Sequence, residues 1–429
     1  MLKKRIVIVG GGFGGITAAK HLKEDSYDVT LIEKTNHHLF QPLLYQVASA
    51  ALSPGDIAVP IRSIFSGRFN IEIMMSEVQS VNKEESFVQL KDRNVYFDYL
   101  ILSPGASHSY FGKDEWEEYA PGLKTLNDAL SIREKILRSF EEAEMIERKS
   151  FKERFLTFVI VGGGPTGVEM AGAIAEIVRH TVLKDFRNLD PKETKVYLLE
   201  AGLKLLPAYS DKLSSIAKKD LENMGVQVLL NTKVTEITED GVSAGEEYIP
   251  TNNVIWAAGN QASSLLTSLN EELDRAGRVY VGKDLSLKNY PNIFVIGDAA
   301  NVTNAKGDLL PGIAPVALQQ GKYVAQIIQN DVRGEKRKPF KYFDKGIMAT
   351  IGKRKAVAKI RKLEFSQGTA WFLWSFVHIF FLITFRNRLR VMAEWSWYYF
   401  TSRRGVRLIT SHPQKNSYSH EYVNEKEII

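Results

Sequence analysis

The sequence predicts an α/β protein with two Rossmann-like, doubly wound domains and a C-terminal region of different character. Three observations predict it. The glycine pattern G-x-G-x-x-G occurs twice, once over Gly10-Gly11-Gly12-Phe13-Gly14-Gly15 and again over Gly162-Gly163-Gly164-Pro165-Thr166-Gly167. Each copy closes an apolar, β-branched run (Arg5 to Val9, and Phe158 to Val161) and opens a helix-like stretch. Each is then followed by a second apolar run that ends in an acid, Leu31-Ile32-Glu33 and Leu198-Leu199-Glu200.

Glycines at these spacings let the backbone turn tightly and approach a pyrophosphate, which rests on the positive end of the following helix. The acid at the end of the second strand accepts from a ribose diol. A lone copy of the pattern is weak, but here both copies have the strand before, the helix after and the acid downstream. Glu33 lies close to the usual separation of about 20 residues and Glu200 lies beyond it. The extra length falls between Arg179-His180-Thr181 and Pro191, which reads as an extended helix and loop. Two nucleotide sites on one chain suggest that electrons pass between two dinucleotides.

Strand-like runs follow the first unit at Ile71 to Met75, Phe87 to Leu90 and Tyr99 to Leu102, and the second at Gln227 to Leu230 and Val254 to Ala258. Ile293-Phe294-Val295-Ile296-Gly297-Asp298 is another buried strand ending in a glycine turn, and it is placed back in the first sheet. The second nucleotide domain is then an insertion in the first. The expected division is 1–118 with 254–340 for the first domain, 119–253 for the second, and 341–429 for the C-terminal region.

The chain of 429 residues has room for two or three cores. Its 56 basic and 50 acidic residues give a net charge of +6, which does not call for a nucleic-acid partner. No cysteine is present, which removes disulfides, thiolate metal sites, iron–sulfur ligation and any C-x-x-C redox centre. The eight histidines have no metal-ligand spacing. Lys3-Lys4-Arg5 before Ile6 to Val9 imitates a signal peptide, but the apolar run is too short, so a first strand and no cleaved leader are expected.

Late in the chain, Ala349-Thr350-Ile351 and Ala356-Val357-Ala358 read as short strands. Ala370 to Phe385 carries no charge and is closed by Arg386, Arg388 and Arg390. As a helix rising about 1.5 Å per residue it reaches roughly 24 Å, short of the ~30 Å hydrocarbon core. Leu389, Met392, Trp395 and Tyr399 then share a helical face before Arg403, Arg404 and Arg407. Aromatic rings beside arginines suit the headgroup region, so a monotopic anchor is expected rather than a spanning helix. A buried core helix or a dimer interface is the competing reading. Removal of the chain after Gln367 is expected to spare the nucleotide domains.

From end to end the chain resembles the type II NADH dehydrogenases, single-subunit NADH:quinone oxidoreductases with a two-dinucleotide flavoprotein fold. The resemblance rests on Phe40-Gln41-Pro42-Leu43-Leu44-Tyr45-Gln46-Val47-Ala48, Gly164 to Glu169, Gly297-Asp298-Ala299, Leu318-Gln319-Gln320-Gly321, Asp344-Lys345-Gly346 with Ala349 to Gly352, and Val377-His378-Ile379 through Arg388.

The resemblance implies a non-covalent FAD in the first domain and NADH, as substrate, on the second. Gly10, Gly12 and Gly15 would cradle the FAD pyrophosphate, Glu33 its adenosine ribose and Asp298 its ribityl chain. Phe13, Gly14, Gln46, Gly259 and Gly297 complete the cofactor-binding set. Gly162, Gly164 and Gly167 would hold the NADH pyrophosphate and Glu200 its ribose. Glu169 matches the family's acid near the nicotinamide and flavin, although a helix dipole also favours any acid there. Gln319 and Gln320 match the segment where quinone arrives, and these three residues form the expected catalytic set. Pro315 stands where the family often has glutamine, which weakens the quinone assignment. His37 and His38 read as structural hydrogen-bonding residues and His378 as interfacial.

The implied protein is a homodimer bound to the anionic cytoplasmic face of a bacterial inner membrane, and it pumps no protons. Cysteine-dependent relatives, sulfide:quinone and disulfide reductases, are excluded on chemistry. The alternative is a slowly turning over, NADH-binding flavoprotein of the apoptosis-inducing-factor type. A ferredoxin reductase is opposed by the aromatic–arginine tail.

Overall fold

The computed structural model describes residues 3–22, 27–179, 185–401 and 404–410. The chain forms two compact units, one of Met1–Leu39, Ala58–Ser109 and Asn260–Lys345, the other of Phe40–Ile57, Tyr110–Gly259 and Gly346–Ile429.

The first unit holds a parallel five-stranded sheet in the order Ile293–Val295, Tyr99–Leu102, Lys4–Val9, Tyr27–Glu33, Ile71–Met75. Because side chains alternate along a strand, Ile6 and Ile8 enter one core with Ile16, Val324 and Ile328, while Val7 and Val9 enter the other with Leu100 and Leu102. The late strand Ile293–Val295 pairs with Tyr99–Leu102, which places it in the first sheet as its sequence predicts. Helix Ala314–Val332 crosses helix Phe13–His21 where a side chain on Gly321 would collide with the Gly14 carbonyl.

The second unit repeats the plan with four parallel strands, Val226–Leu229, Lys195–Leu199, Thr157–Val161 and Asn253–Trp256. Helix Leu126–Met145 opens on a capping box in which Thr125 and Asp128 satisfy each other's backbone N–H groups. A three-stranded antiparallel sheet, Ile347–Gly352, Lys355–Ile360 and Leu363–Ser366, completes the unit. Gly172 on helix Pro165–Ile177 admits the Ile351 carbonyl at a distance no side chain would permit.

The units break at other places than the expected bounds, the second taking Tyr110–Gly259 rather than 119–253 and the first running to Lys345. Asn253–Trp256 hydrogen-bonds beside Thr157–Val161, so residues 254–259 belong to the second unit. Ladder pairing, not proximity in sequence, decides which sheet owns an edge strand. Phe40–Ile57 also groups with the second unit, and the C-terminal residues group with it rather than apart.

The apolar C-terminal stretch is two helices, Gln367–Phe381 and Phe385–Thr401, interrupted over 382–384. The first has a buried side of Ala370, Trp374 and Ser375 and an opposite side with Phe372, Phe376 and Phe380 each more than half exposed. Core packing and an exposed aromatic face therefore coexist on one helix. No helix among the described residues is long and apolar enough to cross a membrane. Of the four residues expected on one face, Leu389 and Met392 are exposed, while the indole of Trp395 turns inward to Gln46. Arg404 is not a headgroup residue: it is buried, with its guanidinium on the Ser49 and Ala173 carbonyls and Glu176. The expected roles of His180, Thr181 and Arg403 fall outside the described residues.

Candidate functional site

The two glycine turns are built alike. Gly10 and Gly162 have φ of +103° and +112°, in the left-handed region. Their N–H groups donate to Ile32 O and Leu199 O, each at 2.8 Å, which bends the chain off the strand end. A side chain at Gly10 would strike the Ser103 carbonyl, and one at Gly162 the Ala257–Ala258 backbone. Gly15 and Gly167 pack against the carbonyls of Gly10 and Gly162. Gly12 and Gly164, by contrast, face open space within 4 Å of where a Cβ would stand. Each is the N-cap of its helix, with no capping side chain and no acid in the first turn. The uncapped N–H groups and helix dipole therefore suit a pyrophosphate at both turns.

The two acids also match. Gly11 N–H donates to Glu33 at 2.5 Å, and Gly163 N–H donates to Glu200 at 2.6 Å. Thr35 N–H and Gly202 N–H bind the second oxygens at 3.2 and 2.6 Å. Carboxylate oxygens have further lone pairs, so each acid is oriented by its own turn and can still accept from a ribose. The residues present fit a dinucleotide in each unit.

Phe13 meets His38 edge-on, with centroids 5.1 Å apart. His38 Nδ1 lies 2.8 Å from Gly11 O, and burial depresses its pKa to about 4. It is thus a neutral ring that donates to the turn, a structural role. His37 bonds its neighbour Asn36 at 3.1 Å.

In the first unit Gly297 (φ +71°) ends the late strand, and Asp298 follows it into a cavity of about 120 Å³ shared with Arg278, Asn260 and Gly312. Gln320 also lines this cavity, is 1% exposed, and accepts the Gly297 N–H at 2.6 Å. Gln319 donates to Phe343 O at 3.0 Å and accepts from Phe343 N–H at 2.9 Å. Both glutamines hold backbone here, Gln320 the Asp298 turn and Gln319 the segment before Gly346.

In the second unit Glu169 is half-buried on helix Pro165–Ile177, with Thr350 N–H at 3.4 Å. Burial pushes its pKa up to about 8, against a smaller lowering by Thr350, so it carries a proton at neutral pH. Its charge, when present, raises the already elevated pKa values of the buried phenols Tyr45 and Tyr209. Gln46 has both ends of its amide engaged, with Tyr45 and with Trp395. Gly259 (φ +73°) closes the turn after Asn253–Trp256. Ser103 and Glu176 support these sites through contacts distant in sequence, and no local motif marks them.

Two dinucleotide turns on a doubly wound frame define a pyridine-nucleotide-dependent oxidoreductase. The family of pyridine nucleotide-disulphide oxidoreductases matches residues 4–321, and the NDH2 C-terminal domain matches residues 345–404. Two type II NADH:quinone oxidoreductases of Mycobacterium tuberculosis, NdhA and Ndh, are 43% and 41% identical, each covering 95% of this chain and 90% of their own length. The chain belongs to the type II NADH:quinone oxidoreductase family. The fold also matches NDH2 of Plasmodium falciparum solved in complex with NADH, at TM-score 0.87 and 22% identity over 94% of this chain and 100% of that one.

Proposed function

We propose that this chain oxidises NADH through a non-covalently bound FAD and delivers the two electrons to a membrane quinone without pumping protons. The observation that carries the reading is the duplicated turn, two oriented carboxylates over two open helix N-termini, in a chain of this family. FAD, when bound, supplies the acceptance of hydride and its release as electrons. Gly10, Gly12, Gly15 and Glu33 would hold its adenosine half and Asp298 its ribityl chain, with Phe13 and Gly14 in the same turn. Gly162, Gly164, Gly167 and Glu200 would hold NADH. Glu169, protonated at neutral pH, would keep a proton beside the reacting centre.

The NDH2 C-terminal match and the mycobacterial relatives support turnover over the binding role of an apoptosis-inducing-factor-type protein. The exposed aromatic face of Gln367–Phe381 supports a peripheral position on a membrane. We place it on the cytoplasmic face of a bacterial inner membrane, as a homodimer through the C-terminal region. Anaerobic addition of NADH to the purified yellow protein should bleach the flavin, and a quinone should restore the colour. Bleaching without recovery on quinone would overturn the assignment.

A further inference from the structure

An indole N–H can only donate, so the partner of Trp395 must be an acceptor. Trp395 Nε1 lies 2.7 Å from Gln46 Oε1. That contact fixes which way the Gln46 amide faces and leaves its NH₂ end, a donor, 2.8 Å from the Tyr45 hydroxyl. The Tyr45 oxygen therefore accepts, and its own hydrogen points away from Gln46. Among the described residues no side chain or carbonyl takes that hydrogen. Tyr45 keeps 8% of its surface accessible.

We propose that Tyr45 is a hydrogen-bond donor to a quinone oxygen, and that Trp395, acting through Gln46, is the positioning residue that aims it. The inference rests on the quinone reading above. A quinone oxygen gains negative charge as electrons arrive, so a donor already aimed at it holds the reduced form more strongly than the oxidised one. Tyr45 loses no proton in this role. Burial first, and the charge of Glu169 second, raise its pKa well above the ordinary phenol value, which keeps the donor in place at every working pH.

The aiming is rigid because Trp395 is itself held. Its ring stacks on Trp374 at 5.2 Å, and Trp374 stacks on His378 at 4.2 Å. Neighbouring residues of the same helix, Trp397 and Phe400, are 57% and 82% exposed. The helix that carries part of the exposed apolar surface thus also orients the donor.

The test uses the full-length, flavin-loaded protein and two acceptors, a soluble short-chain quinone and ferricyanide. Tyr45→Phe should lower kcat with quinone about tenfold, the worth of one positioned neutral hydrogen bond, while flavin content and the ferricyanide rate stay unchanged. Trp395→Phe should lower quinone kcat by a smaller factor. Because it acts through Tyr45, the double variant should be no slower than Tyr45→Phe alone. Wild-type quinone kcat in Tyr45→Phe overturns the proposal, as does a Trp395→Phe loss that multiplies in the double variant. Loss of flavin or of the ferricyanide rate in Tyr45→Phe assigns the ring to the core and also overturns it. A wild-type protein that reduces ferricyanide but no quinone would instead sink the functional reading itself.

Discussion

Arg404 and Glu176 form an ion pair at 3.2 Å with only 4% and 11% of their side chains exposed. Glu176 Oε2 also accepts from Tyr398 and its Oε1 from Lys353 N–H, each at 2.5 Å. The Arg404 guanidinium further donates to the Ser49 and Ala173 carbonyls. One side chain near the end of the described chain therefore joins the segment carrying Tyr45 to the helix carrying Glu169.

The first prediction follows from that pair. Arg404→Met removes the cation and leaves Glu176 buried without it, a change that typically costs about 3–5 kcal/mol. Denaturant unfolding should show the loss, and Glu176→Gln, which keeps hydrogen bonding, should lose less. A shift under about 1 kcal/mol for Arg404→Met would mean that the pair is no keystone. The same contacts revise the expectation for truncation. Ending the chain after Gln367 removes Trp374, Leu382, Val391 and Arg404, all buried, so instability of the second unit should accompany any loss of membrane binding.

The second prediction is a preference for NADH over NADPH. Glu200 is held by the Gly163 and Gly202 N–H groups, and in the proposed NADH site its carboxylate would accept from the ribose diol. A 2′-phosphate would meet like charge, which costs several kcal/mol, so NADH should be favoured at least about a hundredfold in kcat/KM with ferricyanide. Glu200→Gln should narrow the ratio by about tenfold or more. Equal efficiency in the wild type would remove Glu200 from this role.

What could be read from the sequence was what is written locally. Both turns, both acids and the strand–glycine–acid pattern of Ile293 to Asp298 are each written within a few dozen residues. The bound at 253/254 is not written locally, because a parallel edge strand such as Asn253–Trp256 is assigned by its partner, Thr157–Val161, nearly a hundred residues earlier. Arg404 reads as a headgroup residue because basic residues beside aromatics look alike whether they face lipid or a buried glutamate. The Trp395–Gln46 contact spans 349 positions, and neither residue type announces the other.

The third prediction concerns pH. Burial raises the Glu169 pKa to about 8 from the 4.5 of an ordinary glutamate. Below pH 4.5 the acid is protonated in folded and unfolded chains alike, so it does not affect stability. Between 4.5 and about 8 the unfolded chain has released this proton and the folded chain has kept it, so stability falls as pH rises. Above about 8 the penalty is constant. Glu169→Gln should therefore be more stable than the wild type, by a margin that grows from pH 5 to pH 8 and reaches on the order of a few kcal/mol. In stopped-flow reduction by NADH, the wild type should show a titration near pH 8 that the variant lacks. A pH-independent difference in stability would place the Glu169 pKa back in the ordinary range.

The fourth prediction concerns the face formed by Phe372, Phe376 and Phe380, which are 68%, 63% and 59% exposed. Adjacent Leu363 is 64% exposed and borders an open apolar depression with Phe372. An aromatic surface of this kind, flanked by exposed Arg386 and Arg390, suits the acyl–headgroup boundary of an anionic leaflet. Phe376→Ser with Phe380→Ser removes apolar area without touching Trp374 on the buried side. A fully buried phenylalanine contributes about 1.5–3 kcal/mol, so partial insertion of two should be worth at least about tenfold in vesicle affinity. Arg386→Gln with Arg390→Gln should weaken binding by about 1 kcal/mol per charge, and only on anionic vesicles at low salt. Sedimentation with phosphatidylglycerol and with neutral phosphatidylcholine vesicles separates the two contributions, with the ferricyanide rate as the control for folding. If the phenylalanine pair binds vesicles like the wild type but sediments as a smaller particle in solution, the face is a contact between copies of the chain and not the membrane surface.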